Sequence, residues 1–145
     1  MPQIDFHILP DASASRRLDY ACRLAGKAWR AGHGVLLLCP DQASGEQVDE
    51  LLWLRPAESF IPHRLASSAG TAPVLIGWPG ASELTPGLSR QYPVLINLDT
   101  RIPAWYEGHA RVIEVVNQEP QLLAALRSSF ASYRERGYPA QIHRI

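Results

Sequence analysis

The side chains able to carry out acid–base, nucleophilic or metal chemistry are few and scattered along this sequence. Asp5 and His7 share a face of a predicted strand, which would permit proton transfer, but no nucleophile accompanies them in a recognisable motif. A packed or partly solvated strand face is the better interpretation, and we expect no catalytic residue. No two histidines have the spacing of metal ligands on a helix, so we expect no metal site. The five histidines are His7, His33, His63, His109 and His143.

The two cysteines also lack the spacing of a functional motif. Cys22 and Cys39 form neither a disulfide framework nor a zinc motif. A free cysteine behaves as a small apolar side chain, and we predict that both are buried.

A bound nucleotide would need a loop that lets the backbone approach its phosphates, and glycine normally provides it. The segment Leu9–Ser15, between the first predicted strand and helix, contains no glycine, and no Walker-type Gly-Lys-Ser/Thr occurs elsewhere. Asp41 stands where a ribose-binding acid would sit, but a turn or cap role is the better interpretation. We therefore expect no cofactor. A nucleotide-dependent α/β enzyme with an atypical phosphate loop remains the alternative.

The elements that must position these residues follow from hydrophobic periodicity. Alternating apolar residues predict a strand at Gln3–Leu9, and an apolar stripe at helical spacing predicts a helix over Ser13–Ala31. Ser44–Gln47 is a predicted capping box that begins a second helix, which ends before Pro56. A third helix is predicted from Pro120 to Arg136. The other predicted segments are strands at Gly34–Cys39, Pro73–Trp78, Pro93–Leu98 and Arg111–Val116, and a loop at Pro79–Gln91.

The order of these elements is β-α-β-α-β-β-β-α. Strands that alternate with helices imply crossover connections and a mainly parallel sheet. We therefore predict an α/β, Rossmann-like three-layer fold with a mainly parallel central sheet. A length of 145 residues fits one domain with one core, so we expect a single domain over residues 1–145.

Charge and hydropathy restrict the classes of partner. The chain has 14 basic and 14 acidic residues and a formal net charge of zero. Proteins that bind nucleic acid through its phosphates are usually strongly basic, so we expect such contact to be mainly indirect or local. A direct single-strand binder is a third hypothesis, and it would use the basic face of the first helix. That face carries Arg16, Arg23, Lys27 and Arg30.

No apolar run approaches the ~18 residues of a membrane span, and no basic and apolar leader opens the chain. We expect no membrane contact and a cytoplasmic location.

Two segments have the composition of protein-binding surfaces. The first is Leu51–His63, where a helix ends in Leu-Trp and an aromatic loop follows between Pro56 and Pro62. Trp beside Arg is typical of interface anchors, and proline lowers the ordering cost of binding. A loop that folds back on its own core is an equally good interpretation of this segment from the residues alone.

The second segment is the C-terminal helix. Arg127, Phe130 and Arg134 lie along one stripe of it, next to a predicted core face. Two guanidiniums beside an aromatic ring would suit an acidic peptide with an apolar end. The alternative is a solvated basic helix face. The predicted core face consists of Leu122, Leu126, Ser129, Phe130 and Tyr133.

The stretch Asp49-Glu-Leu-Leu-Trp-Leu-Arg-Pro-Ala-Glu-Ser-Phe-Ile-Pro-His63 resembles the chi subunit of bacterial DNA polymerase III. The resemblance extends over nearly the whole chain. It includes Ala28-Trp-Arg-Ala-Gly32, Ala72-Pro-Val74 with Trp78-Pro79, and Tyr133-Arg-Glu-Arg-Gly137. It implies a non-catalytic subunit of the replisome, with a Rossmann-like fold.

The resemblance also implies partners. One face would pair with the psi subunit of the clamp loader, or with a repair helicase that competes for the same face. This psi face would comprise Trp53, Arg55, Phe60, Pro62 and His63, of which Trp53 and Phe60 match family positions.

A separate surface would bind the acidic C-terminal tail of single-stranded-DNA-binding protein. Arg127 and Arg134 match the family's arginines for this tail, and Phe130 replaces a tyrosine. Two family lysines are replaced by Leu123 and Ala131, which should weaken the long-range attraction for an acidic tail. An exposed ion pair contributes only about 0.2–1 kcal/mol, so this loss need not abolish binding.

Overall fold

The computed structural model describes residues 2–56, 59–68, 70–81 and 83–145. Ala57 and Glu58, inside the segment Leu51–His63, lie outside the described residues, as does Ser82 in the predicted loop at Pro79–Gln91.

The described part of the chain forms one sheet of seven parallel strands in the order β3-β4-β2-β5-β6-β1-β7. Because every residue of β2, β4 and β5 is buried, both faces of the sheet centre must be covered by other layers. This arrangement confirms the predicted α/β, Rossmann-like fold. The strands are β1 Gln3–Ile8, β2 Val35–Leu38, β3 His63–Leu65, β4 Val74–Gly77, β5 Val94–Asn97, β6 Arg111–Val116 and β7 Ala140–Arg144.

The three helices are α1 Ala14–Arg30, α2 Gln42–Trp53 and α3 Pro120–Glu135. The ends of α1 and α3 lie within one residue of the predicted positions, whereas α2 begins three residues earlier than predicted. Two strands were missed, β3 because it has only three residues and β7 because most of it is exposed and carries no apolar run. The predicted loop at Pro79–Gln91 contains a 3-10 helix, Pro86–Arg90, and a second short 3-10 helix spans Tyr106–Gly108. None of the helices in the described ranges is long and apolar enough to span a membrane.

The start of α2 corrects the predicted capping box at Ser44–Gln47. Asp41 is the N-cap residue, and its Oδ1 accepts a hydrogen bond from the Ser44 backbone N–H at 2.8 Å. Asp caps as well as Ser does, and its negative charge also interacts favourably with the helix dipole. The helix therefore begins earlier, at Gln42, and the cap role predicted for Asp41 is confirmed.

Helices α1 and α2 cover one face of the sheet. The predicted apolar stripe of α1 faces this core, with Ala21, Cys22 and Ala25 buried. Burial raises the pKa of Cys22 and of Cys39 to about 12, so both thiols stay protonated at neutral pH. This confirms their expected role as small apolar residues of the core.

The opposite face packs against α3 and the two 3-10 helices, and it contains a buried carboxyl group. Glu114 of β6 accepts hydrogen bonds from the Tyr133 hydroxyl at 2.7 Å and from Asn97 Nδ2 at 3.0 and 3.2 Å. Burial raises the pKa of Glu114 to about 7. The carboxyl therefore ties α3 to the centre of the sheet by polar contacts inside an aromatic cluster.

Glu114 should make the stability of the fold depend on pH. Its pKa rises from 4.5 in the unfolded chain to about 7 in the folded chain, so the folded state holds the proton more tightly. The contribution of this protonation to the free energy of unfolding is fully present below pH 4.5. It is lost as the pH rises through about 7, and the free energy of unfolding falls by up to about 3 kcal/mol. Urea denaturation across this pH range should show the fall in the free energy of unfolding for the native protein. It should not show it for Glu114→Gln, because glutamine cannot ionise. Glu46→Gln, an exposed change on α2, is the control and should retain it. An unaltered pH profile in Glu114→Gln would contradict the assignment.

Candidate interaction surfaces

An exposed apolar cluster lies where α2 ends and β3 begins. Among the described residues, five large apolar side chains are exposed, and three of them meet here: Trp53, Leu54 and Phe60, at 59%, 73% and 37% exposure. We call these three residues the aromatic surface. Such a concentration of exposed apolar area on one patch is typical of protein-binding sites. Leu54 was not singled out by sequence reasoning, although it lies just past the last core position of the α2 stripe, Leu52.

The rings of the aromatic surface are held in fixed mutual positions. The Trp53 and Phe60 ring centroids are 5.4 Å apart, and both rings contact the buried imidazole of His63, at 4.8 and 5.9 Å. His63 Nδ1 donates to the Ile61 carbonyl oxygen at 2.6 Å. Its Nε2 lies 3.3 Å from Asp49 Oδ1, within ion-pair distance but outside hydrogen-bond geometry. His63 therefore connects the loop to α2 beneath the exposed rings.

Ile61 decides between the two interpretations of this loop. Its side chain is fully buried, while Trp53 and Phe60 stay exposed. A Cβ atom on Gly26 of α1 would come within 2.7 Å of the Ile61 Cδ1, so the missing side chain of Gly26 makes room for Ile61. The loop thus inserts one residue into the core and presents its aromatic neighbour to solvent.

The other residues of the predicted psi face play a supporting part in the geometry. Arg55 is largely buried, and its Nη2 lies 3.5 Å from Asp19 Oδ1 on α1. Pro62 is half-buried between Ile61 and His63. The structure therefore brings all five predicted residues to one region, but only Trp53 and Phe60 among them present large exposed rings.

The predicted tail-binding residues lie together on the outer side of α3. Arg127 and Arg134 are exposed, and Phe130 is half-buried between them. The Phe130 ring lies 5.8 Å from the Phe6 ring beneath it, and the Arg134 Cζ lies 5.8 Å from the centroid of Phe130 on the solvent side. We call these three residues the arginine surface.

The arginine surface has an apolar floor and free donors. No ion pair to Arg127 is formed within the described ranges, so its guanidinium is available to an external carboxylate. Of the predicted core face of α3, Ser129 and Tyr133 are buried, and the other three residues are half-buried. Leu123 and Ala131, which replace the family lysines, are half-buried and exposed, and neither offers a charge.

The end of the sheet where Rossmann-like folds bind ligands holds a cavity of about 280 Å³. Leu38, Trp105 and Arg101 line it, and Arg101 pairs with the buried Asp99 at 3.1 Å. Among the described residues, no three His, Cys, Asp or Glu side chains are grouped to hold a metal ion. The N-terminus of α1, where a nucleotide phosphate would sit, is capped by the Ser13 side chain, which accepts from the Arg16 N–H at 3.2 Å.

Comparison with known proteins identifies the family. The family model described as "DNA polymerase III chi subunit, HolC" matches residues 1–141. The chain is 43% identical to DNA polymerase III subunit chi of Pseudomonas aeruginosa over 145 residues, which cover 100% of this chain and 98% of that relative. It is 36% identical to the Escherichia coli protein of the same name over 119 residues, 81% of this chain and 78% of the relative. The Haemophilus influenzae protein of that name is 30% identical over 135 residues, 92% of this chain and 90% of the relative. The resemblance seen in the sequence is thus confirmed, and this chain belongs to the DNA polymerase III chi subunit family.

Proposed function

We propose that this chain is a non-catalytic accessory subunit of the DNA polymerase III holoenzyme that acts in DNA replication. It links the clamp loader, through the psi subunit, to the C-terminal tail of single-stranded-DNA-binding protein. Membership of the chi family over nearly the full length carries this proposal. The whole chain, residues 1–145, acts as one domain in the cytoplasm, at the replisome.

The positions of the two surfaces support a tether. The aromatic surface lies at the end of α2 and in the loop before β3, at one end of the strand order and in the layer with α1. The arginine surface belongs to α3, which packs on the opposite face, against β6 and β7. Because the two surfaces do not overlap, both partners can bind at once. Binding both partners at once raises the effective concentration of the clamp loader at template that is coated with single-stranded-DNA-binding protein.

The aromatic surface is the site proposed for psi, and a repair helicase competes for it. Trp53, Leu54 and Phe60 supply apolar area that a partner can remove from water. Since Ile61 and His63 are buried next to Phe60, little ordering of the Phe60 ring is required on binding.

The arginine surface is the site proposed for the acidic tail. The terminal carboxylate of the tail pairs with Arg127 or Arg134, because a guanidinium suits bidentate contact with a carboxylate. The last apolar side chain of the tail packs against Phe130. Contact with nucleic acid through this route is indirect, via the protein that coats the strand.

The alternative, a nucleotide-dependent enzyme, has no specific observation in its favour. A thermal-shift screen with nucleotides tests it, because a ligand at 100 times its Kd adds about 2.7 kcal/mol of stability. We expect no shift.

Loss of one arginine from the arginine surface should weaken tail binding. We expect Arg127→Ala or Arg134→Ala to lower the affinity for a tail peptide by up to about fivefold, the value of an exposed ion pair. Isothermal titration measures this directly, and a peptide that lacks its last residue should bind poorly to the native protein. Arg30→Ala, which removes one exposed charge from α1, is the matched control and should leave the affinity unchanged. If both arginine variants bound the tail peptide as tightly as the native protein does, this site would be ruled out.

Loss of a ring from the aromatic surface should weaken the complex with psi. Phe60→Ala and Trp53→Ala each remove a central apolar anchor, so we expect a loss of about 2 kcal/mol or more, roughly 30-fold in affinity. Gel filtration of the mixed subunits at micromolar concentration would show the loss of co-elution. Ile142→Ala, which truncates an apolar side chain of similar exposure on β7, should leave the complex intact. Co-elution of both ring variants at the native level would contradict the assignment.

A further inference from the structure

The flank of α1 that faces β1 carries polar chemistry that neither proposed surface uses. Helix α1 packs over β2, β5 and β6, so the β1–β7 edge of the sheet stays open on this side. His7 of β1 and His143 of β7 are partners in the strand register and face each other there, with ring centroids 5.1 Å apart. Asp5, two residues before His7 on the same face, is fully buried.

Two adjoining cavities lie between α1 and this edge. The larger, of about 320 Å³, has His7, Lys27, His33 and Arg111 among its lining residues, with Ile113 among the apolar ones. The smaller, of about 230 Å³, shares His7, Leu24 and Lys27 with the first and adds Tyr20 and Arg23. Because they share a wall, the two cavities form one groove along the helix, which we call the α1 groove.

The larger cavity has cationic donors and no carboxylate in its lining. Arg111 uses its Nε to bind Asp5 Oδ2 at 3.0 Å, and within the described ranges its terminal nitrogens have no carboxylate partner. The other Asp5 oxygen accepts from His143 Nε2 at 2.8 Å, so this carboxylate is fully used. Lys27 forms no ion pair with any described residue. An anion that enters the cavity would therefore meet free donors from both walls.

The electrostatic surroundings of His7 agree with this geometry. Its Nδ1 is hydrogen-bonded to the Tyr20 hydroxyl at 2.5 Å. Burial lowers the pKa of His7, His143 lowers it further, and Arg111 and Lys27 act in the same direction, against the opposite effect of Asp5. An anion would relieve this mutual repulsion.

The arrangement of charges distinguishes between anions. Arg23 and Lys27 both line the groove and lie four residues apart on α1, so two cations follow each other at about 6 Å along it. Arg23 pairs with Asp19 at 3.2 Å, but both side chains are exposed, and such a pair opens at little cost. Successive cations beside apolar and aromatic walls are the features with which proteins track a single nucleic-acid strand.

We propose that the α1 groove binds the phosphate backbone of a single-stranded DNA segment, with Lys27 and Arg111 on one phosphate and Arg23 on its neighbour. This contact goes beyond the tethering role and does not depend on it. The zero net charge of the chain makes the binding weak and local, so it adds to a tether rather than replacing one.

The test is fluorescence anisotropy of the full chain with a labelled oligothymidine, titrated at several salt concentrations. Two neutralised phosphates predict a slope of about −1.4 for the logarithm of affinity against the logarithm of salt concentration, since each contributes about 0.7 on a single strand. Arg23→Ala, which leaves one phosphate without a cation, should make the slope less negative by about 0.7. Lys27→Ala, whose phosphate Arg111 still contacts, should lower the affinity by up to about fivefold. Lys27→Glu should lower it further. All of these positions on α1 are exposed, so the variants should fold.

Arg134→Ala is the matched control, because it removes one exposed charge from the opposite layer and should leave DNA binding unchanged. The Lys27 variants should in turn bind the acidic tail peptide normally, so failure of this proposal and failure of the tether can be told apart. Free thymidine monophosphate should compete only weakly with the labelled oligothymidine, because it offers one phosphate where a strand offers several. Three outcomes would overturn the proposal. DNA binding could be undetectable, or it could be unchanged in the Lys27 variants. The third is binding of polyglutamate that depends on Lys27 and is as tight as the binding of DNA.

Discussion

The constraint on which the rest of this structure depends is the burial of the parallel sheet on both faces. Every residue of β2, β4 and β5 is buried, and parallel strands of this kind require a covering layer on each side. Helices α1 and α2 supply one layer, and α3 with the 3-10 helices supplies the other. Binding chemistry is therefore left to the outer sides of the helices, the edges of the sheet and the connecting loops.

The two covering layers are fixed by different kinds of contact, and this difference shapes the two proposed surfaces. On the α2 side Ile61 is held by packing in the space that Gly26 leaves, and its neighbour Phe60 stays exposed. On the α3 side a buried carboxyl, Glu114, holds Tyr133 by a hydrogen bond within an aromatic cluster. Phe130 rests on the edge of that cluster through Phe6, which leaves its outer face and the two neighbouring arginines to solvent.

A neutral chain can still present locally basic sites where nearby acidic residues are used in internal contacts. Asp5 holds Arg111 and His143, Asp41 caps α2, and Asp99 holds Arg101. These carboxylates are bound to partners within the chain, whereas Lys27 and Arg127 have no partner among the described residues. Net charge therefore describes the average of the surface and not the field at any one groove.

The sequence by itself determined the fold class and most of the element boundaries. A buried parallel strand appears in the sequence as an unbroken apolar run, and the buried face of a helix appears as apolar residues with a period of 3.6. Both patterns can be recognised because they involve only residues that are close in sequence. It also indicated the loop around Trp53 and Phe60 and the α3 stripe around Phe130. Strands β3 and β7 could not be seen, because three residues carry too little pattern and β7 is stabilised by pairing with β1 rather than by an apolar face.

Only the tertiary structure decided which residue of the loop is buried. Ile61 and Phe60 are adjacent and similarly apolar, and the choice depends on the space beside Gly26 in a distant helix. The same holds for the α1 groove, since Lys27 and Arg111 belong to different elements that only the sheet order brings to one cavity. Local patterns specify elements, whereas surfaces that join side chains far apart in sequence exist only once those elements have packed.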